Sequence, residues 1–176
     1  DFVQSPQRYK NESSWVAQSS AAHQKFFFDY VCPAKAHDNA LFLCGTNFSI
    51  KRSALNDVGG MDEEFITEDY ATSIKLHSIG KKGVFVPQVL AIGCAPANLK
   101  EYFNQQTRWA KGSFDTSFKY LKHLVFGPMT PKQKMHYLLS ATYYLIGLRD
   151  LILMLAPIPY LFFGLSLIRV NTEYYL

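Results

Sequence analysis

The chain has 176 residues, room for one modest domain, and its 48% hydrophobic and 15% aromatic content is rich for a soluble protein. Its net charge of +4 does not indicate nucleic acid, because the aromatic residues are not interleaved with Lys and Arg as a base-stacking groove requires. Cys32, Cys44 and Cys94 form no Cys-x-x-Cys pair, which argues against zinc or a disulfide framework and for reduced, cytosolic thiols.

Phe2-Val3-Gln4 reads as a strand ended by Ser5-Pro6, and residues 13–36 are mixed. The apolar run Leu41–Cys44 predicts a buried strand, followed by Gly45-Thr46-Asn47 and a second strand at Phe48–Ile50. Ser53 is expected to cap a short helix that stops at Gly59-Gly60, and the acidic loop Met61–Glu64 leads to Thr67-Glu68-Asp69. Helical spacing over Tyr70–Ile79 puts Asp69 at a helix N-terminus, with Gly80 as the stop. Strands follow at Val84–Val86 and Leu90–Ile92, then a helix from Leu99 to about Lys122 and another over Met135–Leu148. Alternating strands and helices indicate an α/β layer.

From Leu151 to Ile168 no residue is charged, and eighteen apolar or small residues reach the lower limit for a membrane-spanning helix. Basic residues (Lys111, Lys119, Lys122, Lys132, Lys134, Arg149) crowd the stretch before it and only Arg169 follows closely, so residues 1–150 are expected on the cytosolic side, with the basic patch against anionic lipid. The Met135–Leu148 helix, with its basic flanks, is expected to lie in the membrane interface or to form a second short span. Asn11-Glu12-Ser13 and Asn47-Phe48-Ser49 match a glycosylation pattern, and on a cytosolic face both are chance. The opening residues carry no signal peptide and the close follows a single span, so the expectation is a piece of a longer protein.

Three groups carry chemistry. Glu68 and Asp69 start a helix, where the dipole and free amides favour an ionised carboxylate fit to act as a base. Gln105, Arg108 and Trp109 stand at i, i+3 and i+4, on one helical face. Arg108 suits a diphosphate, Trp109 offers a flat face to a sugar ring, and Gln105 can bond hydroxyls. Taken singly each has a plainer account: an N-cap, an ion pair of Arg108 with Glu101 or Asp115, a core tryptophan, a solvated glutamine. It is their fixed order that points to a site for adding sugars to a chain.

In these motifs the chain resembles the processive, inverting glycosyltransferases of the cellulose-synthase group, which carry T-E-D followed by Q-x-x-R-W. Phe42–Thr46 is similar to the family's F-x-C-G-S/T segment, Val3–Pro6 to its V-Q-S/T-P, and Gly59–Glu63 to its G-G-F-D-E loop. The resemblance implies Asp69 as the general base, with Glu68 beside it and Thr67 completing the catalytic motif. Arg108, with Gln105, would meet the nucleotide diphosphate. Gln105 and Trp109 would hold the terminal sugar, and Cys44, Gly45 and Thr46 would line the acceptor side.

The fold implied is the C-terminal part of a GT-A (Rossmann-like) domain over residues 1–122, an amphipathic interfacial region over 123–150, a transmembrane helix over 151–170 and the start of a loop over 171–176. The implied reaction moves glucose from UDP-glucose, with inversion, to the non-reducing end of a growing β-glycan such as cellulose. Glucomannan, curdlan, chitin and hyaluronan synthases are the related alternatives, and a non-catalytic, synthase-like scaffold is an alternative of another class. Mg2+ or Mn2+ would be the cofactor, with no metal ligand in this chain and the D-x-D ligands outside it. The implied partners are the nucleotide-sugar donor, the polysaccharide acceptor, membrane lipid and accessory synthase subunits, in a multi-pass protein of the plasma or inner membrane with a cytosolic catalytic part.

Overall fold

Phe2 and Gln4 point inward and Val3 outward, which makes β1 (Phe2–Gln4) the centre of a three-stranded sheet. The computed structural model describes residues 1–11 and 13–165. β1 runs parallel to β4 (Gly83–Phe85), with Val3 opposite Val84, and antiparallel to β3 (Phe48–Ile50), with Val3 opposite Ser49. A second ladder pairs β2 (Gln7–Tyr9) in parallel with β5 (Ala91–Gly93). Parallel strands need long crossovers, here largely helical, and the result is the expected mixed α/β construction.

Residues 13–36, read as mixed, are helical. Ser14 Oγ accepts from the Ala17 N–H and caps α1 (Trp15–Phe26), a five-residue π turn follows over Phe27–Val31, and α2 (Cys32–His37) continues. Pro33 explains the wide turn. It has no N–H to donate and its ring would clash with the carbonyl four residues back, and the Cys32 N–H reaches the Phe27 carbonyl instead. α1 buries only Val16, Ala17 and Ser20, too few to mark a stripe in the sequence.

Two further expectations are corrected. Leu41–Cys44 is buried at Leu41 and Leu43 but is not a strand: the Leu43 N–H goes to Ser73 Oγ and the Cys44 N–H to Gln4 Oε1, so side chains take the bonds a neighbouring strand would have taken. α3 (Arg52–Asp57) starts two residues earlier than read, with Lys51 at its N-cap and Ser53 inside it.

α4 (Glu68–Ser78) is the spine of the first of two compact units, residues 1–141, with Tyr70–Ile74, Leu76 and His77 all buried. Ile74 and Tyr70 face Leu124, Met129 and Tyr137, while Leu76 faces Phe2, Leu43 and Ala54. Asp62 is buried beside α4, held by Lys75 Nζ at 2.8 Å and by the Tyr120 hydroxyl at 2.5 Å, so the acidic loop is fastened to the helix it precedes.

α5 (Leu99–Lys119) opens on a capping box: Asn98 Oδ1 accepts from the Glu101 N–H, and the Glu101 carboxylate accepts from Asn98 Nδ2 and the Ala97 N–H. α6 (Leu121–Phe126) follows, then α7 (Pro131–Thr142). α7 buries Gln133, Tyr137 and Ala141 and leaves Met135, Leu138 and Leu139 exposed. Tyr137 Oη lies 2.7 Å from Nδ1 of His77, whose burial lowers its pKa to about 4. Lys35 Nζ, also buried, donates to the His136 carbonyl and Ser140 Oγ and joins α2 to α7.

The second unit, residues 142–176, holds a short 3-10 turn over Tyr143–Leu145, α8 (Ile146–Leu155) and α9 (Pro157–Phe163). The helix expected over Met135–Leu148 is thus divided at Tyr143. The span expected over Leu151–Ile168 is two helices within the described residues, ending where Gly164 adopts φ 64° and the last carbonyls turn back. Residues 166–176, with Arg169 and the expected loop, lie outside the described residues. By length and composition, the helical run Pro131–Phe163 is long and apolar enough to cross a membrane.

Candidate active site

Thr67, Glu68 and Asp69 open α4, as the spacing predicts. Thr67 holds the N-cap position without capping: its hydroxyl lies 3.1 Å from that of Thr116 on α5, and both residues are buried. Asp69 Oδ1 accepts from the Tyr70 N–H at 2.8 Å. The helix terminus was expected to favour the ionised form, yet burial outweighs it. Desolvation raises the Asp69 pKa to about 6, the negative charge of Glu68 adds to the rise, and the backbone N–H bonds oppose it. At neutral pH the group is still mostly ionised, and it is a far stronger base than a solvent-exposed carboxylate.

A turn lies against this carboxylate. Gly45 has φ 68°, in the left-handed region that glycine tolerates, and a Cβ there would stand 3.2 Å from Asp69 Oδ2. Buried Gln4 holds the turn. Its Nε2 donates to the carbonyls of Thr46 (2.7 Å) and Ser5 (2.8 Å), while its Oε1 accepts from the Cys44 N–H (2.9 Å). Ser73 ties the same segment to α4, accepting from the Leu43 N–H and donating to the Asp69 carbonyl. Cys44, Gly45 and Thr46 therefore form a small-residue wall beside the Asp69 carboxylate. The Cys44 thiol sits by that of Cys32, and this neighbour together with burial pushes its pKa well up. All three cysteines are free thiols.

α5 meets the start of α4 where Gly112 and Thr116 face Thr67, and Gln105, Arg108 and Trp109 continue the same helical stripe toward the N-terminus of α5. Its C-terminal half is buried at Gly112 and Thr116, where Thr67 covers it, and its N-terminal half is open, with Gln105 and Trp109 half-buried and Arg108 exposed. Arg108 and Trp109 thus stand about one helical turn along α5 from Gly112, the residue that meets Thr67 at the start of α4. The plainer account of Arg108 does not hold: Glu101 is engaged in its cap, and among the described residues neither it nor Asp115 pairs with Arg108. Gln105 receives a hydrogen-bond partner from β2, the Tyr9 hydroxyl. Asn11 and Asn47 spend their amide nitrogens on the carbonyls of Ala95 and Pro6.

Reading the motifs alone overlooked Gln4 as the support of the turn, Ser73 as the tie between that segment and Asp69, and Gly112 with Thr116 as the seat of Thr67. A glycine within a helix, one turn beyond Arg108, was the available signal for the last. Among the described residues no three of His, Cys, Asp and Glu converge to hold a metal ion, so the residues present do not fit a divalent-cation cradle.

In this mixed α/β unit Asp69, the Gly45 turn against it and the Arg108–Trp109 face lie on or beside two helices that touch at Thr67 and Gly112. The chain belongs to the glycosyltransferases: it matches the family described as glycosyl transferase family group 2 over residues 1–171. It is 35% identical over 115 residues to a UDP-forming cellulose synthase catalytic subunit of Dictyostelium discoideum, covering 65% of this chain and 11% of that one. With the UDP-forming cellulose synthase catalytic subunit of Pseudomonas fluorescens (strain SBW25) it shares 33% identity over 137 residues, 76% of this chain and 18% of that one. With cellulose synthase 1 of Komagataeibacter xylinus it shares 26% over 175 residues, 97% of this chain and 11% of that one. The chain therefore spans between 11% and 18% of the length of these relatives.

Proposed function

We propose that the chain is the acceptor-side, C-terminal part of a GT-A-type catalytic domain in a processive, inverting β-glycan synthase. The donor is a nucleotide sugar, UDP-glucose by likeness to the cellulose synthases, and the acceptor is the non-reducing end of a growing β-glucan. The observation that carries the reading is the Asp69 carboxylate, buried enough to be basic, at the meeting of the Gly45 turn and the α4–α5 seam.

The reaction follows from these placements. Asp69 takes the proton of the acceptor hydroxyl as its oxygen attacks the anomeric carbon from the face opposite the diphosphate. The bond from that carbon to the diphosphate oxygen breaks with its electron pair, the configuration inverts, and UDP departs. Arg108 offsets the charge that grows on the diphosphate, a gain made mostly in the transition state. Gln105 and Trp109 hold the terminal sugar, and the turn at Cys44–Thr46 lets the glycan approach without a side chain in the way. Glu68 sets the potential at Asp69, and Thr67 fixes the position of the helix.

We place the protein in the plasma or inner membrane with this domain on the cytosolic side. Support comes from the apolar run Pro131–Phe163 and the lysines ahead of it, and from exposed Phe118, Leu121, Val125 and Phe126 beside Lys122. The test uses membranes carrying the full-length protein, a panel of radiolabelled UDP- and GDP-sugars, Mg2+ or Mn2+, and polymer retained on a filter. Polymer from UDP-glucose is the expected result; no polymer from any donor would favour a non-catalytic scaffold.

A further inference from the structure

We infer that Gly112 is a positioning residue that sets the spacing between the helix bearing the base and the helix bearing the leaving-group cation. The inference rests on the reading of Asp69 and Arg108 given above and deepens it.

Gly112 lies in the interior of α5 with no left-handed backbone to require it, and glycine there costs about 1 kcal/mol relative to alanine. What does require it is the approach of Thr67. A Cβ at Gly112 would lie 2.8 Å from Thr67 Oγ1 and 3.1 Å from its Cβ, with Cγ2 closer still. Thr67 cannot swing clear. It is β-branched and buried, and its hydroxyl is paired with Thr116, one turn further along α5. Crowding is not general to helical glycines in this chain: Gly147 in α8 has nothing within 4 Å.

The contact has direct leverage on the chemistry. Thr67 is two residues before Asp69, and Gly112 is one turn after Arg108. A methyl group at Gly112 forces the α4 N-terminus and α5 apart by roughly 1 Å to restore ordinary van der Waals separation. Each helix keeps its own ligand group, so binding of either ligand alone changes little. Only the step that needs Asp69 and Arg108 at one fixed separation suffers, and a displacement of this size costs about a hundredfold in rate.

The experiment uses the full-length protein in membranes. It compares wild type, Gly112→Ala, Thr67→Gly, the double variant and Asp69→Asn, with kcat counted per UDP-binding site so that misfolded protein is excluded. Gly112→Ala is expected to lose about a hundredfold in kcat with donor KM nearly unchanged. The double variant, which removes the clash but also the Thr67–Thr116 hydrogen bond, is expected to recover part of that loss and to exceed Gly112→Ala in kcat. If Gly112→Ala does not accumulate, the double variant must restore both accumulation and transfer. A normal kcat in Gly112→Ala, or a double variant no better than Gly112→Ala, overturns the inference. Asp69→Asn keeps the two ideas apart: transfer retained there refutes the base, whereas coupling between positions 67 and 112 is read independently of it.

Discussion

Asp69→Asn replaces a largely desolvated carboxylate by a neutral group of nearly the same shape, so it should slow the reaction by orders of magnitude and stabilise the domain at once. Burial lifts the Asp69 pKa from 3.8 to about 6. That is a shift of ~2 units, or at most ~3 kcal/mol. The direction follows from proton linkage. A carboxyl whose folded pKa is raised binds its proton more tightly when folded, so its contribution is fully present below pH 3.8 and is lost as the pH rises through about 6. Above pH 7 the wild type carries the full cost and the variant carries none, while the Tyr70 N–H keeps an acceptor in the asparagine oxygen. The variant should melt roughly 6–12 °C higher at pH 8, and the gap should close on acidification to pH 4. Thermal melting of both purified proteins across that range measures it. A variant no more stable than wild type at pH 8, or a gap equal at both pH values, would refute the account of Asp69.

The profile of kcat/KM against pH should have an acidic limb near 6, and Glu68→Gln should move it to lower pH, because the Glu68 charge is one cause of the rise at Asp69. Gly45→Ala should cost about 1–2 kcal/mol of backbone strain and lose transfer, since it demands φ 68° of alanine and sets a methyl 3.2 Å from Asp69 Oδ2; polymer assay and denaturation of the same preparation separate the two effects. Ser73→Ala leaves the Leu43 N–H without its acceptor and should destabilise the domain by ~1–3 kcal/mol in urea denaturation.

What could be read from the sequence was whatever has a short-range cause. The start of α4 follows from acidic residues ahead of an amphipathic run, the end of α3 from Gly59-Gly60, and the edges of β1 and β3 from turn residues. Leu41–Cys44 misled because four apolar residues state burial but not where the backbone bonds go; those depend on Ser73 and Gln4, thirty and forty residues away. α1 was hidden because its few buried positions leave no apolar stripe, and the wide turn at Phe27–Val31 breaks the period. The site divided along the same line. Glu68, Asp69, Arg108 and Trp109 stood out as candidates because each carries its chemistry in its side chain. Gln4, Gly112 and Thr116 act through shape and hydrogen bonds to distant segments, so no local pattern announced them. The basicity of Asp69 was misjudged for a similar reason: the helix terminus is visible in sequence, while the burial that outweighs it is a property of the fold.

The most direct test of the central claim is single-turnover sugar transfer by the full-length protein and its Asp69→Asn variant, with UDP affinity measured on the same samples. The account predicts UDP affinity near that of wild type and transfer slower by about 10²–10⁴-fold. Transfer by the variant at the wild-type rate would contradict it and remove Asp69 from the role of base.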